Sequence, residues 1–138
     1  MISFNYETDF KLKNEKDIST WISATIISEN CKEGDLNYIF CSDDYLHRIN
    51  VDFLNHDTLT DIISFDYSVG KELHGDIYIS VERVVENAKD FKVSFDEELA
   101  RVMIHGILHY CGYMDKSMEE AKVMRSKEDF YLKERFLS

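Results

Sequence analysis

One stretch near the C-terminus, HGILHYCGYMD from His105 to Asp115, constrains the chain more than any other. Its two histidines, His105 and His109, are four residues apart, so on a helix they lie on one face, one turn above the other. Gly112 is the natural end of such a helix, because glycine adopts the left-handed closing conformation at little cost. The chain can then turn back and bring Asp115 towards both imidazole rings.

These three side chains form a plausible set of metal ligands. Imidazole nitrogens bind zinc at about 2.0–2.1 Å, and a catalytic zinc has three protein ligands and one open position. A histidine pair at this spacing is more often an ordinary surface or core pair, but the glycine and carboxylate that follow make the pattern more specific. We therefore expect His105, His109 and Asp115 to hold one Zn²⁺ per chain, with another divalent metal as the alternative.

The same spacing matches the long zinc-peptidase motif H-E-x-x-H-x-x-G-x-x-H, with aspartate in place of the third histidine. In those peptidases a glutamate follows the first histidine and acts as the general base, whereas Gly106 occupies that position here. Glycine cannot take a proton from water. The motif therefore favours a metal site, and a zinc peptidase is the less favoured interpretation.

Length and composition are those of an ordinary folded protein. The 138 residues, of which 44% are hydrophobic and 31% charged, suit a single domain spanning residues 1–138. No stretch approaches the roughly 18 apolar residues that span a bilayer, and no secretory signal is visible. The three cysteines lack C-x-x-C spacing and are interpreted as reduced thiols. We therefore expect a cytoplasmic protein without a membrane partner.

The net charge of −11 argues against a general nucleic-acid coat, which needs a basic face to neutralise phosphates. Local contact with RNA stays open, because a bound metal and a few well-placed cations suffice to hold one phosphate group.

Hydrophobic periodicity predicts an α/β (α+β) fold, with one small mixed sheet of about four strands packed with helices and the metal motif on a helix of the C-terminal half. Strands are predicted at Ile2–Tyr6, Leu36–Cys41, Asp61–Tyr67 and His74–Ser80. Helices are predicted at Lys16–Cys31, closed by Gly34, at Asp44–Leu54, at Val81–Phe91, from Ser94 through the motif, and from Ser117 nearly to the end.

Several polar residues outside the motif have structural interpretations. Ser94 and Glu97 have the spacing of a helix capping box. Asp76 is expected to bond backbone groups at a strand start. Within NHDTLTD, His56 is about as consistent with a turn as with a functional role. The charged residues of the last helix are interpreted as a solvated face: Lys122, Arg125, Lys127, Glu128 and Asp129.

Three blocks of the chain, in order and covering most of it, resemble the YbeY family of bacterial rRNA maturation factors, which are described as metal-dependent endoribonucleases. In NVDFLNHDTLTDIISF the matching residues are Asn50, Phe53, Asp57, Thr60, Asp61, Ser64 and Phe65. In HGDIYIS they are Gly75, Asp76, Ile77 and Ser80. In HGILHYCGYMD they are His105, Gly106, Leu108, His109, Gly112 and Tyr113. Together the blocks are specific.

The resemblance implies a single-domain protein with Zn²⁺ bound by His105, His109 and Asp115. It implies a single-strand-specific endoribonuclease that matures the 3′ end of 16S rRNA and takes part in ribosome quality control. The expected partners are precursor 16S rRNA and the ribosome or small-subunit assembly proteins, and the chain is expected to be a monomer. The reaction would use water bound to the ion, and no second catalytic residue is identified.

Three positions depart from the family pattern. Asp115 replaces the usual third histidine, which preserves the number of ligands but makes the site harder, so the metal identity stays open. Leu54 stands where an arginine that has been proposed to contact substrate phosphate often lies, and His56 is a candidate to replace it in part. Asp66 replaces a proline, which affects the local loop rather than the chemistry.

Leu54 and the acidic charge keep a second class of function open. In this alternative the chain is a ribosome-assembly factor whose metal is mainly structural and which has little nuclease activity of its own. The two classes differ in one observable: whether metal-free protein stays folded while losing a turnover that the metal-loaded protein shows.

Overall fold

The computed structural model describes residues 1–54 and 60–136, which form one four-stranded sheet and five helices. The strands are β1 (Ile2–Tyr6), β2 (Lys32–Cys41), β3 (Ile62–Asp66) and β4 (Glu72–Ser80). The helices are α1 (Glu15–Ser28), α2 (Asp43–Leu54), α3 (Val81–Phe91), α4 (Phe95–Tyr110) and α5 (Met118–Phe136).

The sheet has the strand order β1-β2-β4-β3. The first three of these strands are parallel, and β3 pairs with β4 in the antiparallel direction at one edge. The predicted α/β fold with a small mixed sheet of about four strands is therefore confirmed.

The main core lies between one face of the sheet and helices α1, α4 and α5. Leu36, Tyr38 and Phe40 alternate along β2 and are fully buried, as expected for side chains that point to the same face of a strand. Ile22 and Ile26 of α1, one helical turn apart, are also fully buried. A smaller cluster lies under α2 on the opposite face of the sheet. Helices therefore pack on both faces of the sheet.

Close packing fixes the second half of α4 against β3 and β4. Gly106 is fully enclosed there, and a Cβ atom in its place would lie 3.2 Å from both Ile62 and Ile77. Tyr110 donates a hydrogen bond of 2.9 Å from its hydroxyl to the Phe65 carbonyl. The part of α4 that carries the histidines is thus held at a defined distance from the edge of the sheet.

The predicted end of the first helix is wrong. Helix α1 ends at Ser28, and Asn30 adopts the left-handed conformation with a φ of 60°. Gly34 lies inside β2, where a Cβ atom would overlap the His74 ring and the Leu73 carbonyl oxygen. The glycine therefore serves the close approach of two strands, and an asparagine takes the turn that glycine usually makes.

Helix α5 packs on the core through one stripe of apolar side chains. Met124, Tyr131 and Leu132 are buried as a helical stripe, while Met118 and Phe130 are exposed. Within residues 1–54 and 60–136, none of the helices combines the length and the apolar character that crossing a membrane requires.

We predict that Gly75→Ala destabilises the protein by about 2–3 kcal/mol, because a Cβ atom at this β4 position would overlap the Tyr110 hydroxyl and the Phe65 carbonyl oxygen. Gly70→Ala is the matched control. A Cβ atom there would have no neighbour within 4 Å, and only the cost of a φ of +59°, about 1 kcal/mol, remains. Urea unfolding measures both losses, and equal losses would contradict the role given to the Tyr110 contact.

Candidate metal centre

Helix α4 presents both motif histidines at the rim of the core. It starts after Ser94, whose side chain accepts a hydrogen bond of 3.1 Å from the Glu97 amide, so the predicted N-cap is confirmed. Ten of its sixteen residues are buried, whereas His105 and His109 are only partly buried. The rings are therefore supported by packing while their outer edges face solvent.

The turn after α4 brings the carboxylate back to the rings. The amide of Gly112 donates to the His109 carbonyl and the amide of Tyr113 to the Leu108 carbonyl, both at 3.0 Å, and Gly112 has a φ of 108°. This pair of hydrogen bonds is the Schellman motif, which favours glycine at that position. The predicted helix end is confirmed, and the reversed chain places Asp115 beside both rings.

The three ligand atoms form a nearly equilateral triangle. His105 Nε2 and His109 Nε2 are 3.0 Å apart, and Asp115 Oδ2 lies 3.3 Å from the first and 3.4 Å from the second. A tetrahedral ion with bonds of about 2.0–2.1 Å requires separations of about 3.3 Å between its ligand atoms. The donor set therefore fits one zinc-sized ion, with the fourth direction left to solvent.

The other ring nitrogens explain why both Nε2 atoms are free to bind a cation. His105 Nδ1 lies 2.6 Å from Glu128 Oε2, and His109 Nδ1 lies 2.9 Å from the Tyr113 carbonyl oxygen. These oxygens accept, so each Nδ1 carries a proton, and once a ring holds only this one proton its lone pair lies on Nε2. Two lone pairs and the Asp115 carboxylate then converge, an arrangement that favours a cation between them.

The pKa of His105 reflects the same contacts. Burial alone would lower this pKa, but the Glu128 carboxylate and, to a smaller extent, Asp115 and Asp61 raise it above its ordinary value. In the metal-free protein a second proton therefore stays on His105 at a higher pH than on a free imidazole. An incoming metal ion has to displace that proton, so metal binding and protonation compete at this ring.

Glu128 is the residue that sequence reasoning missed. It was assigned to the solvated face of the last helix, but it is only 4% exposed. Arg101 donates a hydrogen bond of 2.9 Å to its second carboxylate oxygen, so the buried charge is paired at both ends. Its spacing from Met124 and Leu132, one helical turn on either side, is the signal that could have placed it on the buried stripe.

A second, partly buried carboxylate fixes the loop that carries Tyr113. Glu29, just after α1, accepts hydrogen bonds from Tyr113 at 2.6 Å, from Lys127 at 3.2 Å and from Tyr131. Burial opposes ionisation of Glu29, but these three donors outweigh it and lower its pKa. The loop whose Tyr113 carbonyl orients His109 is therefore held to Glu29 at the end of α1 and, through that carboxylate, to α5.

Two aspartates of the other sequence blocks, Asp61 and Asp76, are not among the three ligands. Asp61 lines a cavity of about 440 Å³ together with His105 and Asp115, and burial raises its pKa while Asn87 donates to it at 3.2 Å. Asp76 lies inside β4 and accepts from the Asn37 side chain at 3.0 Å, so the predicted backbone role is wrong.

The possible role of His56 stays a prediction, because that residue lies outside residues 1–54 and 60–136. Leu54 ends α2 and is exposed. Gly106 lies against the sheet, so no side chain at that helix position serves as the general base of a peptidase.

The fold and the candidate site define a class: small α/β proteins in which two helix-borne histidines and a carboxylate from the next turn can hold a divalent ion. Comparison with known proteins gives the family within this class. The sequence profile of the family described as Endoribonuclease YbeY matches residues 2–135. The chain therefore belongs to the YbeY endoribonuclease family, and the resemblance seen in its three sequence blocks is confirmed.

Individual relatives agree with this assignment. The chain is 68% identical to an endoribonuclease YbeY of Flavobacterium johnsoniae over 129 residues, which cover 94% of this chain and 93% of the relative. It is 66% identical to one of Flavobacterium psychrophilum over 133 residues, with coverage of 96% and 95%. The solution structure of a Thermotoga maritima protein is similar with a TM-score of 0.72 and 30% identity, covering 99% of this chain and 89% of that one.

We predict that Glu128→Gln lowers zinc affinity about 10–100-fold near pH 8, because the ligand His105 loses the carboxylate that orients it and raises its basicity. The same change lowers the pKa of His105. Proton competition then begins at lower pH, so the midpoint of the pH-dependent fall in zinc affinity, taken relative to the high-pH affinity of the same variant, moves down.

Zinc titration against a competing chelator between about pH 5 and pH 8 measures both effects. Glu119→Gln, at an exposed position in the first turn of α5, is the control and should match the wild type. An unchanged midpoint in Glu128→Gln would contradict the coupling between Glu128 and His105.

Proposed function

We propose that the chain is a metal-dependent endoribonuclease of rRNA processing, with a Zn²⁺ ion held by His105, His109 and Asp115. The observation that carries this proposal is the triangle of ligand atoms with sides of 3.0–3.4 Å. It occurs in a chain whose relatives are endoribonucleases by name. We also infer that residues 1–138 form one domain.

The chemistry divides between the ion and the chain. A divalent ion held by His105, His109 and Asp115 would supply Lewis-acid chemistry at a phosphoryl oxygen and a nucleophile that is active near neutral pH. Glu128 and the Tyr113 carbonyl hold the protons of the two rings on Nδ1, which keeps both Nε2 atoms available. Asp115, with 42% of its side chain exposed, forms the side of the site that substrate can approach.

We infer that the substrate is single-stranded RNA, with the 3′ end of precursor 16S rRNA as the specific target. The site lies at the rim of α4 beside an open cavity, where a flexible strand can place one phosphodiester against the ligands. A net charge of −11 opposes general affinity for RNA. We therefore propose that the ribosome or small-subunit assembly proteins deliver this cytoplasmic chain, as a monomer, to its substrate.

The test is cleavage of a single-stranded RNA by the purified chain, with zinc content measured on the same samples. We predict that His109→Ala loses zinc and at least 10²-fold in cleavage rate, because a two-ligand site cannot hold the ion in place. Chelator should abolish wild-type cleavage and added Zn²⁺ should restore it. His74→Gln is the histidine control, since His74 lies on β4 and pairs with Glu72 at 3.0 Å.

Each failure of this test has a distinct meaning. Cleavage that persists in His109→Ala in the presence of chelator would contradict the site assignment. A wild-type chain that binds zinc, unfolds without it and cleaves no RNA would instead favour the ribosome-assembly factor with a structural metal. That alternative draws its support from the acidic charge and from the apolar side chain at Leu54.

A further inference from the structure

The cavity beside the candidate metal centre is rich in carboxylates. Asp61, Glu98, Asp115 and Glu128 all line it, along with His105. Burial raises the pKa of Asp61 and of Glu98, and repulsion from neighbouring carboxylates adds to both shifts. The carboxylates that are ionised repel a phosphodiester that enters this cavity, and positively charged side chains of the lining oppose that repulsion.

Two arginines line the same cavity, and their surroundings differ. Arg101 donates hydrogen bonds to Glu128 at 2.9 Å and to Asp129 at 2.7 Å, and only 13% of its side chain is exposed. Its guanidinium is therefore committed to holding α4 and α5 together. Arg125 is 59% exposed, and its guanidinium lies 4.0 Å from Glu128, a distance beyond hydrogen bonding.

The charge of Arg125 acts inside the cavity although the side chain is exposed. Its field is one of the two favourable arginine contributions that oppose the rise in the pKa of Glu98. Arg125 is also one residue from the buried Met124, so its backbone is held on the cavity side of α5. A long, exposed guanidinium anchored in this way can turn towards a ligand and would give up only its 4.0 Å ion pair with Glu128, while the hydrogen bond of Arg101 to the same carboxylate stays in place.

We propose that Arg125 binds a phosphate of the RNA next to the metal centre, an inference that rests on the proposed endoribonuclease function. The guanidinium offers two parallel N–H donors to phosphate oxygens, a geometry that lysine cannot reproduce. The positive charge of Arg125 thereby offsets the repulsion between the carboxylates of the cavity and the phosphates of an approaching RNA strand.

The test measures binding of a nuclease-resistant 2′-O-methyl oligoribonucleotide to the zinc-loaded chain at several salt concentrations. We predict that Arg125→Gln weakens binding about tenfold at low salt, as expected for the loss of a charged hydrogen bond. The slope of log affinity against log salt concentration should fall by about 0.7, the value for one lost phosphate contact on a single strand. Zinc content and unfolding temperature should stay unchanged, and Arg125→Lys should keep the slope.

Lys122→Gln is the matched control, because it removes the same charge from the same helix. Lys122 lines a separate groove with Val123 and Phe130, away from the metal cavity. The inference is overturned if Arg125→Gln and Lys122→Gln weaken binding equally while the wild type binds and cleaves RNA. A wild-type chain that neither binds nor cleaves RNA would overturn the proposed function, and this inference with it.

Discussion

The hydrogen bond between Glu128 and His105 is the contact on which the rest of the site depends. A buried carboxylate is costly unless every oxygen is paired, and here one oxygen accepts from His105 and the other from Arg101. This pairing joins α4 to α5 at the level of the motif. It also orients the imidazole of His105. The Glu128 carboxylate therefore both packs α5 against α4 and fixes the direction of one metal ligand.

The carboxylates around the site have two opposing effects. They raise the basicity of His105 and favour a bound cation, since Glu128, Asp115 and Asp61 all act on that ring. They also repel the phosphate that a nuclease has to approach. In the proposed function a divalent ion between the three ligands and Arg125 at the cavity edge would resolve this opposition, because each would add positive charge where the strand lies. The strongly acidic composition is therefore compatible with RNA cleavage at one local site.

Local features of the candidate site were predictable from sequence because they depend on neighbours along the chain. The four-residue spacing of the histidines, the turn at Gly112 and the return of Asp115 all follow from helix geometry and from the conformational freedom of glycine. The roles of Glu128 and Glu29 were not predicted, since the first residue reaches the site from α5 and the second from the turn after α1. A charged residue on an amphipathic helix looks solvated until its partner across the interface is known.

The positions of the strands and helices were also predictable from the sequence, whereas contacts between distant elements were not. Alternating and helical periodicity located the strands and helices, because burial on one face imposes those periods. The role of Gly34 was not predictable, since it depends on contact with His74 of a neighbouring strand rather than on the helix before it. The difference between Arg101 and Arg125 was not predictable for the same reason. Only the packing of α4 against α5 shows that Arg101 is held by two close ion pairs, whereas Arg125 is exposed.

The measurement that tests the central claim most directly is anomalous X-ray diffraction, at the zinc edge, from crystals of the chain loaded with Zn²⁺. We predict one anomalous peak per chain at about 2.0–2.2 Å from His105 Nε2, His109 Nε2 and an Asp115 carboxylate oxygen, with Glu128 still bonded to His105 Nδ1. An ion bound elsewhere, an ion bound through either Nδ1 atom, or no peak between the two rings would contradict it.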